Sequence, residues 1–129
     1  MELNHRIQQV LARHTGIRLA ILFGSLAQGR ATPQSDLDLA ILMEAPLTAE
    51  TKMQLIDDLS LATGRPVDLV DLRTVGEPLL GQILKHGIRL LGNDGDYAGL
   101  LKRHLFEEAD FMPYHRRILA ERRQAWIGR

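Results

Sequence analysis

The chain of 129 residues contains no cysteine. This excludes disulfides, thiolate metal sites and a cysteine nucleophile. Long apolar runs are missing too: the longest, such as Leu19 to Phe23 and Leu39 to Met43, are far too short to span a bilayer. The opening MELNHRIQQ has no apolar signal core, so no membrane association and a cytoplasmic location are expected. There is no excess of either charge, since sixteen Lys/Arg balance sixteen Asp/Glu, which argues against direct nucleic-acid binding. The phosphate-loop pattern G-x-x-x-x-G-K-[ST] is absent, as are internal repeats, low-complexity segments and linkers.

What is present fits one globular domain with a core of its own. Hydrophobic residues make up 45% and charged residues 25% of the chain, the ordinary balance of a water-exposed fold. The charge is unevenly spread: residues 1–101 carry nine basic and twelve acidic side chains, and 102–129 carry seven and four. That split suits a cation site in the first part and a partner surface in the second.

Leu3, Ile7, Val10 and Leu11 recur at helical spacing and predict a helix over 3–14, stopped by Gly16. IRLAILF (17–23) is an apolar run of strand length, and DLDLAILM (36–43) is a second. Between them SLAQG reads as a short helical turn and RATPQS as a loop. Thr48 is a predicted N-cap, followed by a helix whose face carries Met53, Ile56 and Leu59 and which ends at Gly64. PVDLVDL (66–72) is a third strand, residues 76–87 a short helix with Pro78 in its first turn, and IRLL (88–91) a fourth strand. Gly92 to Gly95 forms a turn signal, and the pattern from Asp96 onward is helical, broken or kinked at Pro113. Alternating strands and helices give an α/β fold: a small mixed sheet of about four strands flanked by helices, with a helical C-terminal tail. The expected organisation is a core over 1–95 and a helical extension over 96–129 within the same domain.

Two residues are out of place on the second strand. Side chains alternate along a strand, so Asp36 and Asp38 share a face, roughly 7 Å apart at their Cα atoms, while Leu37, Leu39 and Ile41 face the core. Two ionised carboxylates so close repel each other and lose hydration, and a divalent cation between them removes both problems. Oxygen-only ligation suits Mg²⁺ or Mn²⁺ rather than zinc. The plain alternative is an edge strand whose polar face meets water. Asp68, on the third strand, could complete a three-carboxylate cluster. Asp71 falls on the opposite face and at the strand's end, where a solvated or capping carboxylate is expected. Gly24-Ser25 follows the first strand and opens a helical turn, which aims backbone N–H groups and a hydroxyl at one point, as a phosphate site requires. Gly29 lets the chain leave that turn. A plain turn is the alternative here.

The spacing Gly24-Ser25, ten residues, Asp36-Leu37-Asp38, then Asp68 resembles the signature of the DNA polymerase β-type nucleotidyltransferase superfamily. SDLDLAIL, GRPVDLVDL and ILKHGIRLL look like its minimal nucleotidyltransferase branch, and the C-terminal YHRRILAERRQAWI looks like the adenylyltransferase antitoxins of HEPN/MNT toxin–antitoxin pairs. The resemblance implies transfer of AMP from ATP with Mg²⁺, with Asp36, Asp38 and Asp68 as catalytic metal ligands and Asp68 activating the acceptor hydroxyl. It places Gly24 and Ser25 on the β- and γ-phosphates. Where relatives often carry a basic residue, this chain has Gln28, and Arg30 could reach the same phosphates.

The resemblance further implies a cognate HEPN-domain RNase toxin whose tyrosine hydroxyl accepts the AMP. The HEPN pattern R-x(4–6)-H does not occur in this chain. Leu105, Phe111, Met112, Tyr114, Ile118, Leu119, Trp126 and Ile127, beside Arg116, Arg117, Arg122 and Arg123, have the composition of a partner surface. Packing of the same apolar residues onto the sheet is the alternative. Two other functions remain open: transfer to a small-molecule hydroxyl of the aminoglycoside type, and neutralisation of a toxin by binding alone. His5, His14, His86, His104 and His115 show no metal-ligand spacing and are expected at the surface or core edge.

Overall fold

The computed structural model of the protein describes residues 2–109. In chain order the elements are α1 (Glu2–Ala12), β1 (Ile17–Phe23), β2 (Leu37–Met43), α2 (Ala49–Thr63), β3 (Val67–Asp71), α3 (Leu79–His86), β4 (Ile88–Leu91) and a last helix, α4, over 94–109. The strands form one mixed sheet in the order β3-β2-β1-β4. β1 is antiparallel to both β2 and β4, whereas β3 lies parallel to β2 and is reached through α2.

Strand parity sorts the core into two layers. Leu37, Leu39 and Ile41 of β2 are fully buried with Ile7, Val10 and Leu11 of α1 and Leu55 and Leu59 of α2. On the other face Ala40 joins Leu19 and Ile21 of β1, Leu80, Ile83 and Leu84 of α3, and Leu100 of α4. Helices therefore cover both faces, as the long apolar stretches of β1 and β2 require.

Capping fixes the ends of α2 as expected. The Thr51 N–H donates to Thr48 Oγ1 at 3.1 Å, and Gly64 closes the helix at φ 69°. Its buried face differs from the predicted one. Leu55 and Leu59 are inside, Ile56 is half-buried, and Met53 is 57% exposed. Met53 sits two residues before Leu55, about 200° round the helix, so both cannot face the sheet.

α4 begins at 94, earlier than the Asp96 expected, because Asn93 acts as its cap: the Asp96 N–H donates to Asn93 Oδ1 at 2.8 Å. Leu100 anchors the described part of α4 on the sheet, while Leu105 is 56% exposed. The remaining tail anchors, His115 and Pro113 lie outside the described residues. No helix among the described residues is long and apolar enough to cross a membrane.

The two ends of the sheet are now distinct. The starts of β2 and β3 and the end of β1 share one end. At the other, Arg18 pairs with Asp96 at 2.7 Å and Arg103 reaches the loop after β3. The described part of α4 thus docks at the end away from Asp38 and Asp68.

Candidate active site

Parity and register together build a row across three strands. Asp38 is the Cα partner of Phe23 on β1 and of Asp68 on β3. Neighbouring strands lie about 4.8 Å apart, so the Asp38 and Asp68 carboxylates leave the sheet side by side on one face. Further along that face Ala40 is covered by α3 and α4, whereas Asp68 is exposed and Asp38 half-buried at the open end. Asp36 lies just before β2 and is exposed. Asp71 pairs with Ile41 on the opposite parity, and its Oδ1 accepts the Arg73 N–H at 2.9 Å, which is a capping arrangement.

Burial pushes the Asp38 carboxyl above its ordinary value, and the negative charges of Asp68 and then Asp36 add to the shift. Asp68 and Asp36 thus act on Asp38 at a spot where, among the described residues, no Lys, Arg or His forms an ion pair with any of the three. Among the described residues, no three His, Cys, Asp or Glu side chains stand in a ready-made metal cluster. The donor set nonetheless fits a hard divalent ion: acceptor-only oxygens, mutual repulsion, and an Asp38 whose preference for its proton such an ion would reverse.

The turn after β1 comes against this row. Gly24 has φ 74°, and a Cβ there would run into the Asp38 carboxylate, only 3.0 Å from its Cγ. A side chain there would be strained by the left-handed backbone and would have to push the carboxylate aside. The turn that follows is wound helically: Ala27 and Gln28 N–H groups donate to the Gly24 carbonyl at 3.1 and 3.2 Å, and Arg30 N–H to the Ser25 carbonyl at 3.0 Å. The first N–H groups of such a turn have no partner within it and point out of its start. Gly24 therefore adjoins Asp38, and Ser25 follows it as the next residue of the turn. Arg30 is exposed, and its Nη2 donates to Gln28 Oε1 at 2.5 Å; among the described residues it forms no ion pair with the carboxylates.

One contributor was not visible in the motif pattern. Arg65, between Gly64 and Pro66, donates from Nη1 to the carbonyls of Thr32 and Ser35, in the loop that delivers Asp36. Its partners are backbone groups some thirty residues away, so no side-chain spacing announces them. The histidines carry no such role: His14 pairs with Asp58 at 2.8 Å, His104 pairs with Glu77, and His5 and His86 are exposed.

Comparison with known proteins gives the family of the chain. The family described as "Polymerase beta, Nucleotidyltransferase" matches residues 5–96. Protein adenylyltransferase MntA of Shewanella oneidensis is 36% identical over 80 residues, covering 62% of this chain and 58% of that protein. The chain thus matches somewhat over half the length of that curated relative. Among solved structures, a chain in a crystal structure of a toxin–antitoxin with AMP-PNP superposes with a TM-score of 0.80 at 27% identity, over 92% of this chain and 96% of that one. A minimal nucleotidyltransferase structure is 36% identical, with a TM-score of 0.58 over 67% of this chain and 91% of the other. The row of carboxylates, the glycine-serine turn beside it and a family match spanning most of the chain lead to one assignment: the protein belongs to the polymerase beta nucleotidyltransferase family.

Proposed function

We propose that the protein is an antitoxin of the protein adenylyltransferase type, which moves AMP from ATP to a tyrosine hydroxyl of a HEPN-domain RNase toxin and thereby silences it. The carrying observation is the Asp38–Asp68 pair with the Gly24 backbone against it. Relatives support a protein acceptor in a toxin–antitoxin setting: one similar protein is named a protein adenylyltransferase, and one similar structure is of a toxin–antitoxin with AMP-PNP.

In this reading Asp36, Asp38 and Asp68 hold Mg²⁺ or Mn²⁺, which supplies charge neutralisation to the triphosphate. The chain's own groups do the rest. Ser25 and the open N–H groups of its turn bind the β- and γ-phosphates. Asp68, the exposed member of the pair, takes the proton of the acceptor hydroxyl as its oxygen bonds to the α-phosphorus. The bond from that phosphorus to the bridging oxygen breaks, and pyrophosphate leaves with the electron pair. Phosphoryl-type transfer depends mainly on such positioning and charge neutralisation.

The open sheet end favours an acceptor brought by another protein. On α4, Leu101, Leu105 and Phe106 are 40%, 56% and 59% exposed, which supports an apolar partner surface there. That surface and the carboxylates lie toward opposite ends of the sheet, so the partner would contact both.

The test incubates the protein with ATP, Mg²⁺ and a co-encoded HEPN protein and weighs that protein by mass spectrometry. The expected result is a mass gain in AMP units, mapped to tyrosine. Neutralisation without a mass change would replace this reading by one of binding alone. AMP transfer to a small aminocyclitol in place of the protein would move the acceptor to a small molecule.

A further inference from the structure

Residues 30–36 form neither helix nor strand, yet they deliver Asp36. Asp38 is held in the sheet by its register with Phe23 and Asp68; Asp36 lies outside the ladder and has no such support. The loop contains one local turn, in which Ser35 N–H donates to the Thr32 carbonyl at 3.0 Å and Thr32 N–H donates to Ser35 Oγ at 2.8 Å. That turn shapes 32–35 without tying it to the sheet.

The tie comes from the two residues leading into β3. Arg65 Nη1 donates to both Thr32 and Ser35 carbonyls, at 3.0 and 2.9 Å. The Pro66 carbonyl accepts the Leu37 N–H at 2.8 Å. The Ser35 carbonyl belongs to the peptide plane that carries the Asp36 N–H, and the Leu37 N–H to the plane that carries the Asp36 carbonyl. Because peptide groups are planar, fixing both planes fixes the φ and ψ of Asp36 between them. One of those two anchors is a side chain; it is half-buried, its bond to the Ser35 carbonyl is partly buried and its bond to the Thr32 carbonyl is exposed.

We infer that Arg65 is a positioning residue for Asp36, holding the first carboxylate beside the Asp38–Asp68 pair through the backbone on its N-terminal side. The inference rests on the nucleotidyl-transfer reading of the carboxylates. It extends that reading from the acidic residues to the link between the loop before β2 and the start of β3, and it makes GRPVDL one functional unit: Asp68 as ligand, Arg65 as support for the ligand on the next strand. Partners that orient metal ligands are typically worth roughly 10–100-fold in metal affinity or activity.

The experiment compares wild type, Arg65→Ala and Arg65→Lys. Mn²⁺ binding is read by its electron paramagnetic resonance signal with α,β-methylene-ATP, which cannot be cleaved at the transferring bond. Hydrogen exchange of the 30–37 segment and thermal melting are measured on the same samples. Arg65→Ala is expected to weaken Mn²⁺ binding roughly 10–100-fold, to speed exchange in that segment, and to leave the rest of the exchange map unchanged. Arg65→Lys keeps the charge but not the reach of the guanidinium, and should recover part of both signals. In turnover, the Mg²⁺ needed for half-maximal rate should rise in the same order. Wild-type Mn²⁺ affinity in Arg65→Ala, with the loop exchanging faster, overturns the inference and leaves the proposed function standing. If Arg65→Ala does not fold, Arg65→Lys decides: weaker Mn²⁺ binding at an unchanged melting temperature supports the positioning role, and unchanged binding with faster loop exchange overturns it. A wild-type protein that neither binds Mn²⁺ with the analogue nor transfers AMP brings down the transfer reading itself, and the positioning role with it.

Discussion

The two ends of β3 handle charge in opposite ways. At its start Asp68 stands beside Asp38, with Asp36 close enough to add to the repulsion, so like charges crowd together. At its far end opposite partners meet. Arg103 donates to the carbonyls of Leu72 at 2.7 Å and Val75 at 2.9 Å, Asp71 accepts the Arg73 N–H, and His104 pairs with Glu77. Most polar groups at this end are satisfied within the chain; Arg103 Nε, buried without a hydrogen-bond acceptor, has only the Glu107 carboxylate at 3.7 Å. Repulsion that no ion pair among the described residues relieves, at one end only, is the mark of a surface built for something that arrives from outside.

The most damaging way to break the comparison is to neutralise the crowded end. Asp36→Asn with Asp38→Asn should abolish AMP transfer while the protein stays folded, as read by mass spectrometry and circular dichroism. The same variant should be more stable than wild type. The Asp38 carboxyl titrates above its ordinary value in the folded protein, so between those two values the native state binds more protons than the unfolded one. Stability must then fall as pH rises through that window, and the amide variant should lose that part of the slope. Full transfer by the double variant would remove the carboxylates from the mechanism.

Next in size is Gly24→Ala, which attacks the meeting of the turn and the row. The left-handed backbone alone costs roughly 1–2 kcal/mol for a residue with a Cβ. The new methyl group must also displace the Asp38 carboxylate. A displacement on the order of 1 Å at a reacting group can lower the rate about 100-fold. Transfer should therefore fall much further than the melting temperature, and equal losses in both would point to a structural role only.

How much of this could be read before the fold was known depends on what each residue binds. Strand parity alone separates Asp68 from Asp71, and the Thr48 and Gly64 caps follow from their own chemistry. Met53 was misplaced because Met53, Ile56 and Leu59 satisfy helical spacing as well as Leu55 and Leu59 do, and only the sheet chooses between the stripes. Asn93 reads equally as a turn residue and as a cap. Arg65 and Arg103 were out of reach for a different reason: their partners are main-chain carbonyls about thirty residues distant, and every residue type offers the same carbonyl. The approach of Gly24 to Asp38 needs the β1–β2 register, which spacing constrains but does not state.

Breaking the satisfied end should have the reverse profile. Arg103→Met keeps an apolar stem but frees the carbonyls of Leu72, Arg73 and Val75. Hydrogen bonds from a charged donor are worth about 1.5–3 kcal/mol, so a loss of that order is expected in denaturant unfolding. AMP transfer measured well below the new melting temperature should be unchanged, because the loop after β3 lies at the opposite end from Asp68. A collapse of transfer at full folding would mean that the two ends are coupled.

The smallest effect belongs to His104. Its hydrogen bond to Glu77 raises its pKa above the usual histidine value, with Glu77, Glu108 and Glu107 adding charge in the same direction and burial opposing them. Gly81 makes room for the pair: a Cβ there would meet the imidazole Cε1 at 2.7 Å, and the Gly81 N–H donates to the second Glu77 oxygen at 3.1 Å. The sign follows from proton counting. Between the ordinary histidine value and the raised one, the folded state holds a proton that the unfolded state has released, so stability is fully present below the ordinary value and declines as pH rises through the raised one. Unfolding curves taken across that interval should show the decline in wild type and a flatter profile in His104→Gln. A wild-type profile as flat as the variant's would mean that the Glu77–His104 contact does not differ in protonation between the folded and unfolded chain, and that the link between α3 and α4 rests on Leu80, Leu84 and Leu100 packing instead.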